Sequence, residues 1–188
     1  VHHDRPLRRQ PTRWTTVTAR VEPVPQPNER EALEQFLDYF RTTLREKAVG
    51  LSDQQAREMS VPPSSLSLAG LLRHMAEVER HWFQMYMRGD DEERLFWHLG
   101  PDADFEVDDT VALDACLDLF DREVAVSRSI AAECALDDLA ARSDADRPGH
   151  VGWTPNLRWI LVHMIEEYAR HNGHADLLRE VVDGRTGE

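Results

Sequence analysis

The sequence predicts an all-α protein built as a four-helix bundle, and three observations lead to this fold class. The chain has 188 residues, which is enough for one domain with a sizeable core. Four long stretches contain no proline and repeat their apolar residues with a helical period. No stretch alternates apolar and polar residues as a half-buried strand does. Four helices of about 20–30 residues in one domain imply a bundle.

The first and second helices have clear predicted ends. The first is predicted to begin after Asn28, an N-cap residue with Glu31 at the capping-box position, and to end near Gly50. The second is predicted to run from about Ser67 to Gly89, with an apolar stripe at helical spacing.

The third and fourth helices are predicted in the same way. The third begins after residues 109–110 and runs to about Ala141, which places Cys116 and Cys134 in one helix, too far apart to bridge each other. The fourth begins at Thr154 as N-cap with Pro155 as its first residue, and ends at Gly184.

The rest of the chain divides into an arm, linkers and a short tail. Residues 1–27 hold five of the ten prolines and, up to residue 20, five arginines against one acid, so we expect an irregular basic arm. This arm either contacts a partner subunit or is a loose tail. We expect the bundle to span 28–184 and a tail to span 185–188. Phe96 and Trp97 in the linker 90–109 indicate that this linker packs back on the bundle.

Composition excludes several classes of protein. The formal charge of −13 argues against a nucleic-acid-binding protein, which needs a basic surface. No apolar run approaches the ~18–20 residues of a membrane span, and two cysteines are too few for a disulfide framework. A cytoplasmic protein is therefore the default expectation. The basic residues are 21 arginines and one lysine, which suggests a GC-rich genome such as an actinobacterial one.

The fourth helix carries a cluster of potential metal ligands. On a helix of 100° per residue, four side chains fall within one arc of about 80°, whereas Glu166 points away from it. The four residues are His163, Glu167, His171 and His174. Side chains four residues apart on a helix are close enough to reach one metal ion.

The second helix supplies an imidazole that faces this cluster. His74 lies inside the apolar stripe of that helix, and His81 lies at its edge. The pattern alone leaves two interpretations open. Such residues are either hydrogen-bonded core histidines and surface Glu–His pairs, or the ligands of a metal ion. Two nitrogen ligands and one carboxylate suit a catalytic Zn²⁺, Ni²⁺ or Fe²⁺ site with open positions.

These residues also resemble a known family. The runs SLAGLLRHMAEVERHWF and LRWILVHMIEEYARHNGHADLLREVVDG resemble the DinB superfamily of metal-binding four-helix bundles, in particular its uncharacterised actinobacterial branch. The resemblance extends from about residue 28 to 184. The version with glutamate at position 167 is similar to the N-terminal domain of mycothiol-dependent maleylpyruvate isomerase, in which the metal is Zn²⁺.

The resemblance implies a ligand set and a chemistry. It places the metal on His74, Glu167 and His171, because His171 and Gly173 match the His-x-Gly step of the family. His163 and His174 then support the ligands or line the pocket, with His174 as a fourth ligand the alternative. Arg170 either binds an anionic substrate or, as we expect, pairs with an acid of the second helix such as Glu77.

Three functions remain open at this point. The resemblance implies a metal-dependent transferase or isomerase that uses mycothiol or a related small thiol, with Zn²⁺ as the expected metal and Ni²⁺ or Fe²⁺ as alternatives. The second is a non-catalytic metal-binding or stress-response bundle, since the similarity to the isomerase covers only its N-terminal bundle. The third is a metal-dependent hydrolase. The expected partners are a small-molecule substrate or thiol, and a homodimer is compatible with the arm and the tryptophans.

Overall fold

A computed structural model describes residues 20–143 and 152–186, and these residues form an all-α bundle. Its long helices are α1 (Glu29–Ala48), α3 (Leu68–Glu79), α4 (Leu113–Glu133) and α5 (Leu157–Asp183), with a short α2 (Asp53–Arg57) between the first two. Helix α3 continues without a break as a π-helical segment, Arg80–Arg88. Within the described ranges no strand is present, which agrees with the predicted fold class.

The four long helices pack around one core. Helix α1 packs chiefly against α5, and α3 with its π-helical continuation packs chiefly against α4. The largest fully buried side chains come from all four of these helices. They include Leu37 and Leu44 of α1, Leu71, Leu72 and Met75 of α3, Phe83 of the π-helical segment, Phe120 and Ile130 of α4, and Ile160 and Tyr168 of α5. No helix in the described parts of the chain is long and apolar enough to cross a bilayer.

The predicted ends of the first two helices are confirmed by their caps. The Asn28 side chain accepts a hydrogen bond from the Glu31 backbone, and the Glu31 carboxylate accepts one from the Asn28 backbone. Ser67 caps α3 in the same way through the Gly70 N–H. The second helix ends at Gly89 in the left-handed conformation, but its last two turns are π-helical instead of α-helical.

The third helix begins close to its predicted start but ends well before its predicted end. Helix α4 begins at Leu113, whose backbone N–H is capped by the Asp53 carboxylate at 2.8 Å, and it ends at Glu133 instead of near Ala141. At its C-terminus, Arg30 of α1 donates to the carbonyls of Ala131 and Cys134, which satisfies groups that a continuing helix would have used. Cys134 therefore lies at the extended C-cap and not inside the helix.

The predicted start of the fourth helix is also wrong. The N-cap is Asn156, which accepts from the Trp159 N–H, whereas Pro155 lies before the helix. The Pro155 carbonyl accepts from the Ala140 N–H in a short antiparallel contact between residues 136–140 and 155–158, which keeps the chain extended up to the cap. The predicted end at Gly184 is confirmed by its left-handed conformation. The division into arm, bundle and tail stays a prediction, and residues 1–19 and 187–188 lie outside the described residues.

Candidate metal centre

His74, Glu167 and His171 lie together between α3 and α5. One ligand atom from each of the three falls within 4.8 Å of the other two. The Glu167 Oε2 and His171 Nε2 atoms are 3.6 Å apart, and the ring centroids of His74 and His171 are separated by 4.7 Å. His171 is only 8% exposed, and the other two side chains are partly buried. The structure thus brings together the three residues that the resemblance implied as ligands.

His74 is held in one orientation by a loop that sequence reasoning did not connect to the site. Its Nδ1 lies 2.6 Å from Oδ2 of Asp104, a carboxylate that is 1% exposed. The same oxygen accepts a hydrogen bond from Trp97 Nε1 at 2.7 Å. Burial opposes ionisation of Asp104, but the hydrogen bonds from His74 and Trp97 outweigh it and lower the pKa of this carboxyl. Because an ionised carboxylate only accepts, His74 carries its proton on Nδ1 and directs Nε2 away from Asp104.

Gly70 allows this loop to approach α3. A Cβ atom at position 70 would lie only 2.6 Å from the Phe105 carbonyl oxygen, so any larger residue there would push the loop away. The Phe105 ring then stacks on His74 with a centroid distance of 4.3 Å. The prediction that the linker 90–109 packs back on the bundle is borne out by Phe96 and Trp97, whose backbone N–H groups both point to the buried Glu77 carboxylate. The linker 90–109 contains nine acidic residues, so the sequence alone does not distinguish Asp104 from the others.

Glu167 lies between two histidines of its own helix. The adjacent His171 imidazole is the main cause that lowers the pKa of Glu167, burial opposes it, and His163 and His74 add to it. The other Glu167 oxygen, Oε1, lies 3.5 Å from Nε2 of His163. The carboxylate is therefore ionised and central to the cluster.

Three residues were predicted to support the metal ligands or line the pocket. His163 and His174 lie beside the triad, and Arg170 does not. His174 Nδ1 lies 3.4 Å from His171 Nδ1, and burial, followed by the nearby His171 and Arg170, lowers the pKa of His174. His163 contacts Glu167 as described. Arg170, by contrast, is 60% exposed on its side chain and pairs with Glu166 one turn earlier. The expected pairing with Glu77 is wrong, because Glu77 is buried against the linker instead.

The donor set matches the chemistry of a divalent metal. Two imidazole nitrogens and one carboxylate oxygen form the ligand set of several catalytic zinc sites, in which a further position stays open. Ligand atoms about 2.1 Å from a tetrahedral metal lie about 3.4 Å from each other, close to the measured Glu167–His171 separation. Neither cysteine belongs to this cluster, and burial raises the pKa of both thiols. The residues present therefore fit a nitrogen- and oxygen-bound metal ion and not a thiolate-bound one.

The bundle and its inward-facing histidines define a DinB-like protein. A family model described as mycothiol-S-transferase matches residues 32–184, and the chain belongs to this family. The crystal structure of a conserved protein from Enterococcus faecalis has the same fold, with a TM-score of 0.58 and 19% identity over 85% of this chain and 100% of that chain. None of the curated proteins matches this chain.

Proposed function

We propose that the chain is a mycothiol-S-transferase that uses one divalent metal ion held by His74, Glu167 and His171. Zn²⁺ is the expected metal, with Ni²⁺ or Fe²⁺ as alternatives. The observation that carries the proposal is the triad itself, with ligand atoms within 4.8 Å of one another at partly buried positions. Membership of the mycothiol-S-transferase family supports the thiol as the co-substrate.

The residues around the triad have separate tasks in this proposal. Asp104 fixes the ring and the tautomer of His74, as outer carboxylates commonly do for ligating histidines. In this proposal the Nδ1–H of His171 donates toward Nδ1 of His174, which leaves Nε2 beside Glu167 free to ligate. Glu167 supplies one negative charge, which partly neutralises a divalent cation.

The source of the sulfur nucleophile and the role of the metal ion follow from the residues in the cluster. Since neither cysteine lies there, the sulfur nucleophile is that of the co-substrate. A metal ion bound by the triad supplies the Lewis acidity that lowers the pKa of a thiol and favours its thiolate. In the transfer, the sulfur forms a bond to an electrophilic carbon of the acceptor, the leaving group departs with its electron pair, and the thiol proton passes to water.

An aromatic surface adjoins the site on the side of His163. The ring of His163 stacks on Trp159 and meets the edge of Trp82, and both tryptophans contact Trp153. An apolar acceptor substrate can pack against this surface beside the metal centre. A homodimer and a cytoplasmic location stay predictions.

The proposal is tested by thiol transfer with the metal-loaded chain. Mycothiol and 1-chloro-2,4-dinitrobenzene are expected to give a thioether and chloride, followed by absorbance, at a rate that His171→Ala abolishes. His98→Ala is the matched control, because His98 is exposed, lies outside the triad, and has its Nδ1 2.9 Å from the Arg94 carbonyl oxygen. Its rate should equal that of the unmodified chain. A rate no higher than that without protein, together with no thermal shift on adding mycothiol, would contradict the proposal.

A further inference from the structure

A second group of ligand-type side chains adjoins the triad on α5. It consists of His163, Glu166 and Glu167, and one ligand atom of each lies within 4.8 Å of the other two. The proposed function does not use His163 or Glu166 as ligands. Glu167 belongs to both groups, so the two groups lie side by side along one helix.

Glu167 divides its two oxygens between these groups. Oε2 lies 3.6 Å from His171 Nε2, whereas Oε1 lies 3.5 Å from His163 Nε2. A carboxylate with one oxygen toward each of two imidazoles has the arrangement of a bridging ligand between two metal ions, which in such sites lie about 3.5–4 Å apart.

Aromatic packing fixes the ring of His163. Trp159 stacks on it with an interplanar angle of 15° and a centroid distance of 4.9 Å, and Trp82 meets it edge-on at 4.8 Å. In this orientation Nε2 points to Glu167, and Nδ1 lies 3.6 Å from Glu166 Oε2. The ring is thus fixed by side chains of two helical segments, so the imidazole and Glu167 need little ordering to bind a cation at Nε2. The half-exposed Glu166 side chain, which lies nearer Nδ1, has to turn toward that cation.

Glu166 is the weakest member of the group. Its side chain is 47% exposed, and the Arg170 guanidinium pairs with it from the next turn. A cation at this position must displace or share that partner. The group also offers one imidazole where the triad offers two, and it is more open to water. These differences rank the second group as the weaker of the two.

We propose that His163, Glu166 and Glu167 form a second divalent-cation site, weaker than the first, and that the Glu167 carboxylate bridges the two sites. The ligands suit a first-row ion such as Co²⁺, Mn²⁺ or Zn²⁺. This site goes beyond the proposed thiol transfer, which requires only the triad.

The test is a Co²⁺ titration of the metal-free chain, with bound metal measured by equilibrium dialysis and elemental analysis. The unmodified chain is expected to bind two ions, the second at least about tenfold more weakly. Glu166→Gln should bind one ion with unchanged affinity at the first site, and His163→Ala should also bind only one ion. Glu166→Gln removes only a half-exposed charge, so it tests the site without disturbing the core.

Arg170→Ala is a matched variant that should strengthen binding of the second ion instead of removing it. Removing the competing guanidinium leaves Glu166 free, so the second ion should bind a few-fold more tightly while the first is unaffected. Saturation of the unmodified chain at one ion would overturn the second site and leave the proposed function intact, as would an unchanged second affinity in Glu166→Gln. A chain that binds no ion at all would contradict both.

Discussion

Two groups of charged and polar side chains lie where α5 meets its neighbours. We call the group of Arg41, Glu79 and Tyr168 closed, because its members are joined by hydrogen bonds, and the group around Glu167 open, because its members stand farther apart. In the closed group, Arg41 donates to both Glu79 oxygens at 2.8 and 2.7 Å, and the Tyr168 hydroxyl donates to the same carboxylate at 2.7 Å. In the open group, Glu167 stands 3.5–3.6 Å from His163 and His171. The separations in the first group are those of normal hydrogen bonds, whereas those in the second are longer and close to the spacing of two ligand atoms on one metal ion.

The two groups are neighbours in sequence as well as in space. Glu167 and Tyr168 are consecutive on α5, and a turn of about 100° sends them to different faces of the helix. Burial, together with the adjacent Glu79 charge, raises the pKa of Tyr168 well above its ordinary value, so it stays a hydrogen-bond donor. We infer that the closed group stabilises and aligns the two helices, and that the open group is the place where a ligand binds.

The largest effect on stability is expected from breaking the closed group. Glu79→Gln leaves the buried Arg41 without its main charge partner, because Asp38 contacts only one of its nitrogens. We expect the free energy of unfolding in urea to fall by about 3–5 kcal/mol. The metal affinity of the folded chain should not change.

The control for this variant is a pair of the same charge type on the surface. Glu34→Gln removes the partner of Arg30, and the Glu34 side chain is 42% exposed. Its cost should be within about 1 kcal/mol. Equal costs for the two variants would contradict the distinction between a closed buried group and an ordinary surface pair.

A smaller effect, on affinity instead of stability, is expected from the carboxylate behind the open group. Asp104→Asn keeps an acceptor for Trp97 but removes the charge that holds His74. Metal affinity measured by calorimetry should fall about 10–100-fold. Asp109→Asn, an exposed change in the same linker, should have no effect. If both variants bind metal like the unmodified chain, Asp104 does not position the ligand.

The smallest effect is a dependence of stability on pH. The pKa of Asp104 is lowered in the folded chain from its ordinary value of 3.8, so folding favours its ionised form. Its contribution is therefore complete above that ordinary value and is lost as the pH falls through the folded-state pKa. At about pH 5, urea unfolding should show a difference in stability between the metal-free chain and Asp104→Asn, in favour of the unmodified chain. That difference should shrink in more acidic solution, and a difference that grows there would contradict the assignment.

The parts of this structure that local sequence determines were predictable. The capping box of Asn28 and Glu31 and the stop at Gly184 depend on residues a few positions apart. The grouping of Glu167 with His171 follows from helical periodicity in the same way. The C-terminal end of α4 was not predictable, because it depends on Arg30 from another helix.

The contacts across long stretches of chain escaped prediction for the same reason. Asp104 reaches His74 from an aperiodic linker 30 residues away, and Tyr168 reaches Glu79 across 89 residues. No repeat or cap marks either partner. The π-helical turns were also missed, because the apolar residues of 80–88 fit an α-helical stripe equally well.

The central claim is that the open group binds metal, and metal binding by His171→Ala tests it most directly. The metal-free chain is titrated with Zn²⁺ by competition with a chelating indicator, beside His171→Ala and the exposed control His98→Ala. The account predicts one tight equivalent for the unmodified chain and the control, and a loss of about 100-fold or more in affinity at that site for His171→Ala. Equal affinity in all three proteins, or no tight equivalent in any of them, would contradict it.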